Sequence, residues 1–269
     1  MTPLEAVRMV AQKLDESGVP SPRVDAEILV AHVLGVSRSE VYSADDQLSK
    51  EELRRLHSAQ ERRRLREPLA YILGEWGFRR LTLKVDRRVL VPRPETEVLV
   101  ERCLGHLRDL PEPRVLDVGV GSGAIALAIA DECPGARVTA VDVSVDALAL
   151  ARENADRLGL AVDLRQGDLA AAAEGWDLVV SNPPYVHADE LPSLQAEVRD
   201  WEPELALVGH GLHQELAELA RTTWLVLEVG DGQAPGVARA LEDVGYVDVR
   251  VTSDLAGVER VVEARRADA

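Results

Sequence analysis

The sequence predicts an α/β fold, a seven-stranded and mostly parallel sheet with helices on both faces, behind a small helical bundle. Three observations carry this. From Pro94 onward, short apolar runs alternate with segments of helical periodicity, the pattern of a parallel sheet wound with helices. Seven such runs can be read, and the last two follow each other with no helix between, which turns the final strand antiparallel. Residues 1–74 show no strand pattern and are punctuated by helix caps instead.

Thr2-Pro3-Leu4-Glu5 is a capping box with proline at the first helical position. Leu4, Val7, Val10, Ala11 and Leu14 continue at helical spacing, and Gly18 marks the stop. Ala26, Leu29, Val30 and Val33 predict a second helix ended by Gly35. Ser37-x-x-Glu40 and Ser49-x-x-Glu52 are capping boxes that predict further helix starts. The stretch KEELRRLHSAQERRRLRE is helical, and its arginine-rich end at 61–67 reads as a solvated face or, as the alternative, a contact for a protein or RNA partner. Residues 1–74 are thus expected to form one helical domain. The segment GFRRLTLKVDRRVLV alternates, turns at Asp86-Arg87-Arg88 and alternates again, so residues 75–93 are expected to be a β-hairpin linker. Residues 94–269 form the α/β domain, with strands at 114–119, 137–143, 162–166, 176–182, 224–230, 246–253 and 258–264. Its helices are expected at 94–108, 122–132, 145–158, 212–221 and 234–244.

Composition removes several classes of function. No apolar run approaches the ~20 residues that span a bilayer, and the first residues lack the apolar core of a secretory signal. No membrane partner and a cytoplasmic location are expected. Cys103 and Cys133 form no close pair, which argues against a disulfide or zinc framework. His210 and His213 are three apart, but two ligands alone make a poor metal site, so no metal is expected. The net charge of −16 is uneven: residues 1–93 carry +3 and residues 94–269 carry −19. An acidic α/β domain opposes charge-driven binding of a nucleic-acid backbone but leaves a protein partner open. A monomer is expected.

A glycine loop is the first candidate site. The strand ending at Val118 runs into Gly119-Val120-Gly121-Ser122-Gly123 and then a helix. Glycines let backbone approach a ligand closely, and a helix start adds free N–H groups. Asp142 ends the next strand, 23 residues after Gly119, where a carboxylate can accept both hydroxyls of a ribose. Gly119, Gly121 and Ala124 equally satisfy a dinucleotide fingerprint, so this loop alone does not separate adenosylmethionine from a nicotinamide cofactor.

The fourth strand decides the chemistry. It ends in Asn182-Pro183-Pro184-Tyr185, at the same carboxyl edge as the glycine loop. Prolines fix φ and donate no N–H, so the pair makes a rigid edge. Asn182 offers a side-chain oxygen and Pro183 a backbone oxygen. Two acceptors can hold both hydrogens of one NH2 group and turn its lone pair toward a methyl donor. Tyr185 offers an aromatic wall for a flat substrate or a sulfonium charge. This combination resembles the methyltransferases that modify NH2 groups of adenine, cytosine or glutamine.

Further segments narrow the resemblance. EPLAYILGEWGF at 67–78, VLVPRPETEVLV at 89–100, LDVGVGSGAIALAIA at 116–130, VSNPPYV at 180–186, EVRDWEPELAL at 197–207, LEVG at 227–230 and DLAGVERVV at 254–262 are similar to the release-factor glutamine methyltransferase family. The resemblance implies a class I, Rossmann-like methyltransferase domain using S-adenosyl-L-methionine and releasing S-adenosyl-L-homocysteine. It implies a helical domain that docks peptide chain release factors, and methylation of the glutamine of their Gly-Gly-Gln loop. Carried over, Gly119, Val120, Gly121, Ser122 and Gly123 line the methionine part of the cofactor and Asp142 binds its ribose. Asp168 and Leu169 lie near the adenine, with Leu169 standing where the family often has an aromatic residue, so aliphatic contacts are expected there. Asn182 to Tyr185 hold the glutamine, with Asn182 also near the cofactor. Arg93, Glu95 and Glu97 lie beside the cleft without separable roles. The alternative is a nucleic-acid adenine N6-methyltransferase, which the acidic charge opposes.

Overall fold

The computed structural model describes residues 1–44 and 46–267. The chain divides into two compact units, Met1–Gly74 with Gln195–Trp201, and Glu75–Leu194 with Glu202–Ala269.

The first unit is built from α1 (Pro3–Asp15), α2 (Pro22–Leu34), α3 (Lys50–Arg64) and α4 (Leu69–Leu73). Thr2 and Glu5 close the predicted box on α1, and Ser49 and Glu52 do so on α3. Val7, Val10 and Leu14 meet Leu29, Val30 and Leu56 in its core. The box at Ser37 also forms, with Ser37 N–H donating to Glu40 Oε2 at 2.7 Å, but only a single 3-10 turn, Glu40–Tyr42, follows. The next residues, Ser43-Ala44-Asp45-Asp46-Gln47, offer no apolar stripe, and a cap without a face to bury does not sustain a helix.

The arginines of 61–67 depart further from expectation. Arg63 is 5% exposed. Its Nε donates to Asp25 Oδ2 at 2.7 Å, its Nη1 to the carbonyl of Glu67 at 3.1 Å and its Nη2 to Glu197 Oε1 at 2.7 Å. Arg66 donates to both oxygens of Glu197, at 2.8 and 2.6 Å. Glu197 lies on the one-turn helix α8 (Ala196–Arg199) within the segment that the chain contributes to this unit from afar. A guanidinium has five donors in a fixed fork, so it can knit several carboxylates at once. Part of the stretch is therefore an internal clamp, not a solvated face.

The second unit opens with a hairpin, β1 (Glu75–Phe78) against β2 (Leu81–Lys84). Its tight turn is Arg79-Arg80, not 86–88. Arg79 takes a left-handed φ of 49°, which a non-glycine residue accepts only when held there. Its backbone N–H donates to Glu97 Oε1 at 3.0 Å, and its guanidinium bonds Glu132 and Glu101. A turn also forms near Asp86, but no paired strand follows it.

The main sheet contains β3 (Arg114–Val118), β4 (Arg137–Asp142), β5 (Asp163–Gln166), β6 (Trp176–Ser181), β7 (Thr222–Glu228), β8 (Tyr246–Ser253) and β9 (Glu259–Arg266). Their order is β5-β4-β3-β6-β7-β9-β8. The first five are mutually parallel, and β9 runs antiparallel to both neighbours, as the missing crossover helix requires. The helices are α5 (Thr96–Leu107), α6 (Ala124–Glu132), α7 (Val145–Leu158), α9 (Leu212–Leu219) and α10 (Ala234–Asp243). Leu99, Ile125 and Leu127 pack in one apolar cluster on the sheet, and Leu216, Leu225 and Leu241 in another. In register, Val118 stands beside Ser181 and Ser181 beside Leu227, so the parallel strands end at one common edge.

Candidate active site

A cavity of about 510 Å3 opens at that carboxyl edge, where open α/β sheets bind ligands. The glycine loop forms its floor. Both Gly119 and Val120 donate N–H to the carbonyl of Val141, at 2.9 and 3.0 Å, which ties the end of β3 to β4. Gly119, Gly121 and Gly123 have φ of 81°, 52° and 86°, a conformation that strains any side chain. A Cβ at Gly119 or Gly121 would meet no atom within 4 Å, so the loop presents bare backbone to open space.

Asp142 lines this cavity, with its Oδ2 accepting N–H of Gly121 at 3.0 Å and its Oδ1 that of Ser144 at 2.9 Å. Each carboxylate oxygen has a second lone pair, so both can still take a hydroxyl. Asp168 accepts the N–H of Ala170 at 2.9 Å and starts a 3-10 turn, Leu169–Glu174. Asp168 and Leu169 both line the cavity. An acceptor pair beside an aliphatic wall and a bare glycine floor fits a nucleoside with a charged tail. Gly119 to Ser122 line the cavity as well, whereas Gly123 caps α6 against Leu127.

Asn182, Pro183 and Pro184 form another wall of the cavity, at the end of the neighbouring strand β6. Ser181 anchors them, its hydroxyl donating to the carbonyl of Val118 at 2.7 Å. Asn182 Nδ2 faces Thr96 Oγ1 at 3.4 Å, which leaves its Oδ1 for the cavity. Tyr185 stands outside the lining. Its carbonyl accepts from Gln233 Nε2 at 3.0 Å, and burial pushes its phenol up to about 12. Gly209 lies so close beneath that a Cβ there would be 2.3 Å from the carbonyl oxygen of Pro184.

Several residues to which the sequence assigned no separate role stand around this site. Arg93 lines the cavity and clasps both oxygens of buried Glu202 at 2.7 Å. Burial raises the Glu202 carboxyl above its usual range while Arg93 opposes it. Glu97 serves the hairpin turn instead. Asp117, on β3, is fully buried; its Oδ2 accepts the N–H of Ala126 at 3.1 Å, and burial raises it to about 7. Glu228 ends β7 just as Asp142 ends β4, and an acid at that edge was a readable signal. Of the two histidines, His213 is buried with Nε2 2.8 Å from the carbonyl of Glu228, while the His210 ring lies 5.1 Å from that of His187. They do not converge on one point.

The PrmC N-terminal domain family matches residues 5–74, and the methyltransferase small domain family matches residues 95–197. The catalytic domain of hMettl16, crystallised with an MAT2A 3'UTR hairpin, shares the fold at a TM-score of 0.55 and 14% identity, over 83% of this chain and 85% of that one. A release factor glutamine methyltransferase of Deinococcus radiodurans is 42% identical, with 95% of each chain covered. One of Streptomyces coelicolor is 40% identical, with 98% of each covered, and one of Fusobacterium nucleatum is 36% identical over 98% of this chain and 79% of its own. With its helical unit, its seven-stranded sheet and relatives matched nearly end to end, this chain belongs to the release factor glutamine methyltransferase family.

Proposed function

We propose that this protein transfers a methyl group from S-adenosyl-L-methionine to the side-chain amide nitrogen of the glutamine in the Gly-Gly-Gln loop of peptide chain release factors. The observation that carries it is the meeting of Asn182-Pro183-Pro184 and the glycine loop in one cavity. Gly119 to Ser122 and Asp142 would hold the cofactor, with Leu169 against its adenine. The cofactor, when bound, supplies an electrophilic methyl group. An amide nitrogen is a poor nucleophile because its lone pair is delocalised into the carbonyl. Asn182 Oδ1 and the Pro183 carbonyl accept its two hydrogens, fix its plane and stabilise the positive charge that develops on nitrogen. The new bond is N–C, the broken bond is S–C, and one N–H proton leaves once nitrogen has become acidic. No general base is required before transfer.

Among the described residues no helix is long and apolar enough to cross a membrane. We take the site of action to be the cytoplasm, with the enzyme acting as a monomer on its protein substrate. The test is incubation with methyl-labelled adenosylmethionine and either a release factor or duplex DNA. Label on the glutamine of the release factor is the expected result. Label on DNA adenine would replace this reading with the adenine one.

A further inference from the structure

Glu228 is 2% exposed, yet it stands next to the substrate wall without lining the cavity. Its Oε2 has no hydrogen-bond partner among the described residues. The groups that face it come from every element around it. Thr96, at the start of α5, and Asn182, after β6, act on its carboxyl as hydrogen-bond donors. Arg260 on β9 acts as a positive charge and Glu95 as a negative one, and the buried phenol of Tyr185, three residues after Asn182, feels the Glu228 charge in turn. His213 on α9 meets only its backbone carbonyl, at 2.8 Å, and burial holds that imidazole neutral by lowering its pKa.

The direction of these hydrogen bonds matters because an asparagine amide can sit either way round. Only with Oδ1 toward the cavity can Asn182 accept a hydrogen from a substrate NH2. Its own NH2 must then point inward and find acceptors. Thr96 Oγ1 at 3.4 Å is one, but a hydroxyl can donate as readily as it accepts. A carboxylate accepts only. An ionised Glu228 draws the Thr96 hydrogen to itself and leaves the lone pairs of Thr96 for Asn182. A protonated Glu228 could donate to Thr96, turn the hydroxyl around and favour the flipped amide, with its NH2 aimed at the substrate NH2.

We propose that Glu228, acting on Asn182 directly and through Thr96, is a positioning residue that sets the amide orientation of Asn182 and so makes it an acceptor for the substrate. This rests on the reading of Asn182 as a substrate ligand. Burial raises the Glu228 carboxyl to about 7, with Thr96 the largest opposing influence. The ionised, productive form therefore holds above that pH and is lost as pH falls through it.

The experiment is single-turnover methylation of a release factor across pH 5.5 to 9, with wild type, Glu228→Gln, Glu228→Asp and Thr96→Val. Wild type is expected to lose rate below about pH 7. Glu228→Gln, which can donate as well as accept, should be about tenfold slower at high pH, lack that acid limb and bind adenosylmethionine as wild type does. Glu228→Asp should recover part of the rate and the limb. Thr96→Val should resemble Glu228→Gln, and the double variant should be no slower than the worse single one. Burial also raises Asp117 to about 7, but Asp117 bonds α6, so a limb that came from it would survive in Glu228→Gln. A wild-type rate that is flat across this range overturns the assignment even if no variant folds. So does a Glu228→Gln enzyme with normal rate and limb, or one whose loss lies wholly in cofactor affinity. A wild-type enzyme that labels no release factor overturns the functional reading itself, and this assignment with it.

Discussion

Asp142 sits between two tasks, since both its oxygens already hold backbone N–H groups of the loops that frame the cavity. Asp142→Ala should cost the cofactor a charged acceptor for its ribose, about 1.5–3 kcal/mol, and loosen the glycine loop as well. Calorimetric titration should show adenosylmethionine binding about 10- to 150-fold weaker; an unchanged affinity would remove Asp142 from the ribose site. Asn182→Ala should act differently. Its position is set by β6 before it and two prolines after it, so the fold should survive while kcat for release factor drops about 10²- to 10³-fold. The loss should fall on kcat more than on cofactor affinity, and a folded variant with near-normal turnover would end the proposed mechanism. At this scale the sequence was readable wherever a residue type is costly without a ligand, as with alternate glycines or paired prolines. It was unreadable where meaning comes from burial. Thr96 and Glu202 look like ordinary polar residues until the fold removes them from water.

Elements are fixed by the balance between local preference and what the fold can hold in place. The seven strands lie within a few residues of where the apolar runs put them; in the central strands β3, β4, β6 and β7 this is because both faces are covered and an apolar run reports burial. The hairpin turn was missed for a definite reason. Arg79-Arg80 carries none of the glycine or asparagine that a left-handed residue usually needs, and the strain is carried by contacts to Glu97, Glu101 and Glu132 from α5 and α6. A tertiary brace of this sort leaves no local mark. The segment after Asn182-Pro183-Pro184-Tyr185 is braced similarly. Val186 N–H donates to the carbonyl of Leu207 at 3.0 Å, and Gly209 N–H to that of Val186 at 3.2 Å. Gly209→Ala would drive a methyl group against Pro184 and Leu212 Cδ1. Overpacking of this kind costs about 1–3 kcal/mol, and a shift of the proline wall by ~1 Å can cost ~10²-fold in rate. The expected outcome is a kcat at least tenfold lower with adenosylmethionine affinity largely kept. Wild-type kcat would mean that the wall can yield without moving the substrate.

For the molecule as a whole, the proposed function predicts that the helical unit docks the protein substrate while the second unit holds the cofactor. Every residue lining the cavity belongs to the second unit. Removal of residues 1–74 should therefore leave adenosylmethionine binding measurable by calorimetry but abolish labelling of a release factor. Glu197 would also lose Arg63 and Arg66, so residues 195–201 should become susceptible to proteolysis. Full-rate labelling by the truncated protein would refute this division. The change of texture near Gly74 was legible as a boundary in composition, but the return of residues 195–201 to the helical unit was not, because no sequence pattern records which distant carboxylate an arginine will find. The order of the sheet has a consequence for how the chain is made. Strand β9 is translated after β7 and β8 yet lies between them. On the ribosome, β7 must wait with one edge bare and β8 with no strand beside it until residue 266 has cleared the exit tunnel. A chain that stops before residue 259 thus leaves β7 with an unpaired edge and β8 without a strand partner, two bare edges where a sheet built strictly from one side to the other would leave one.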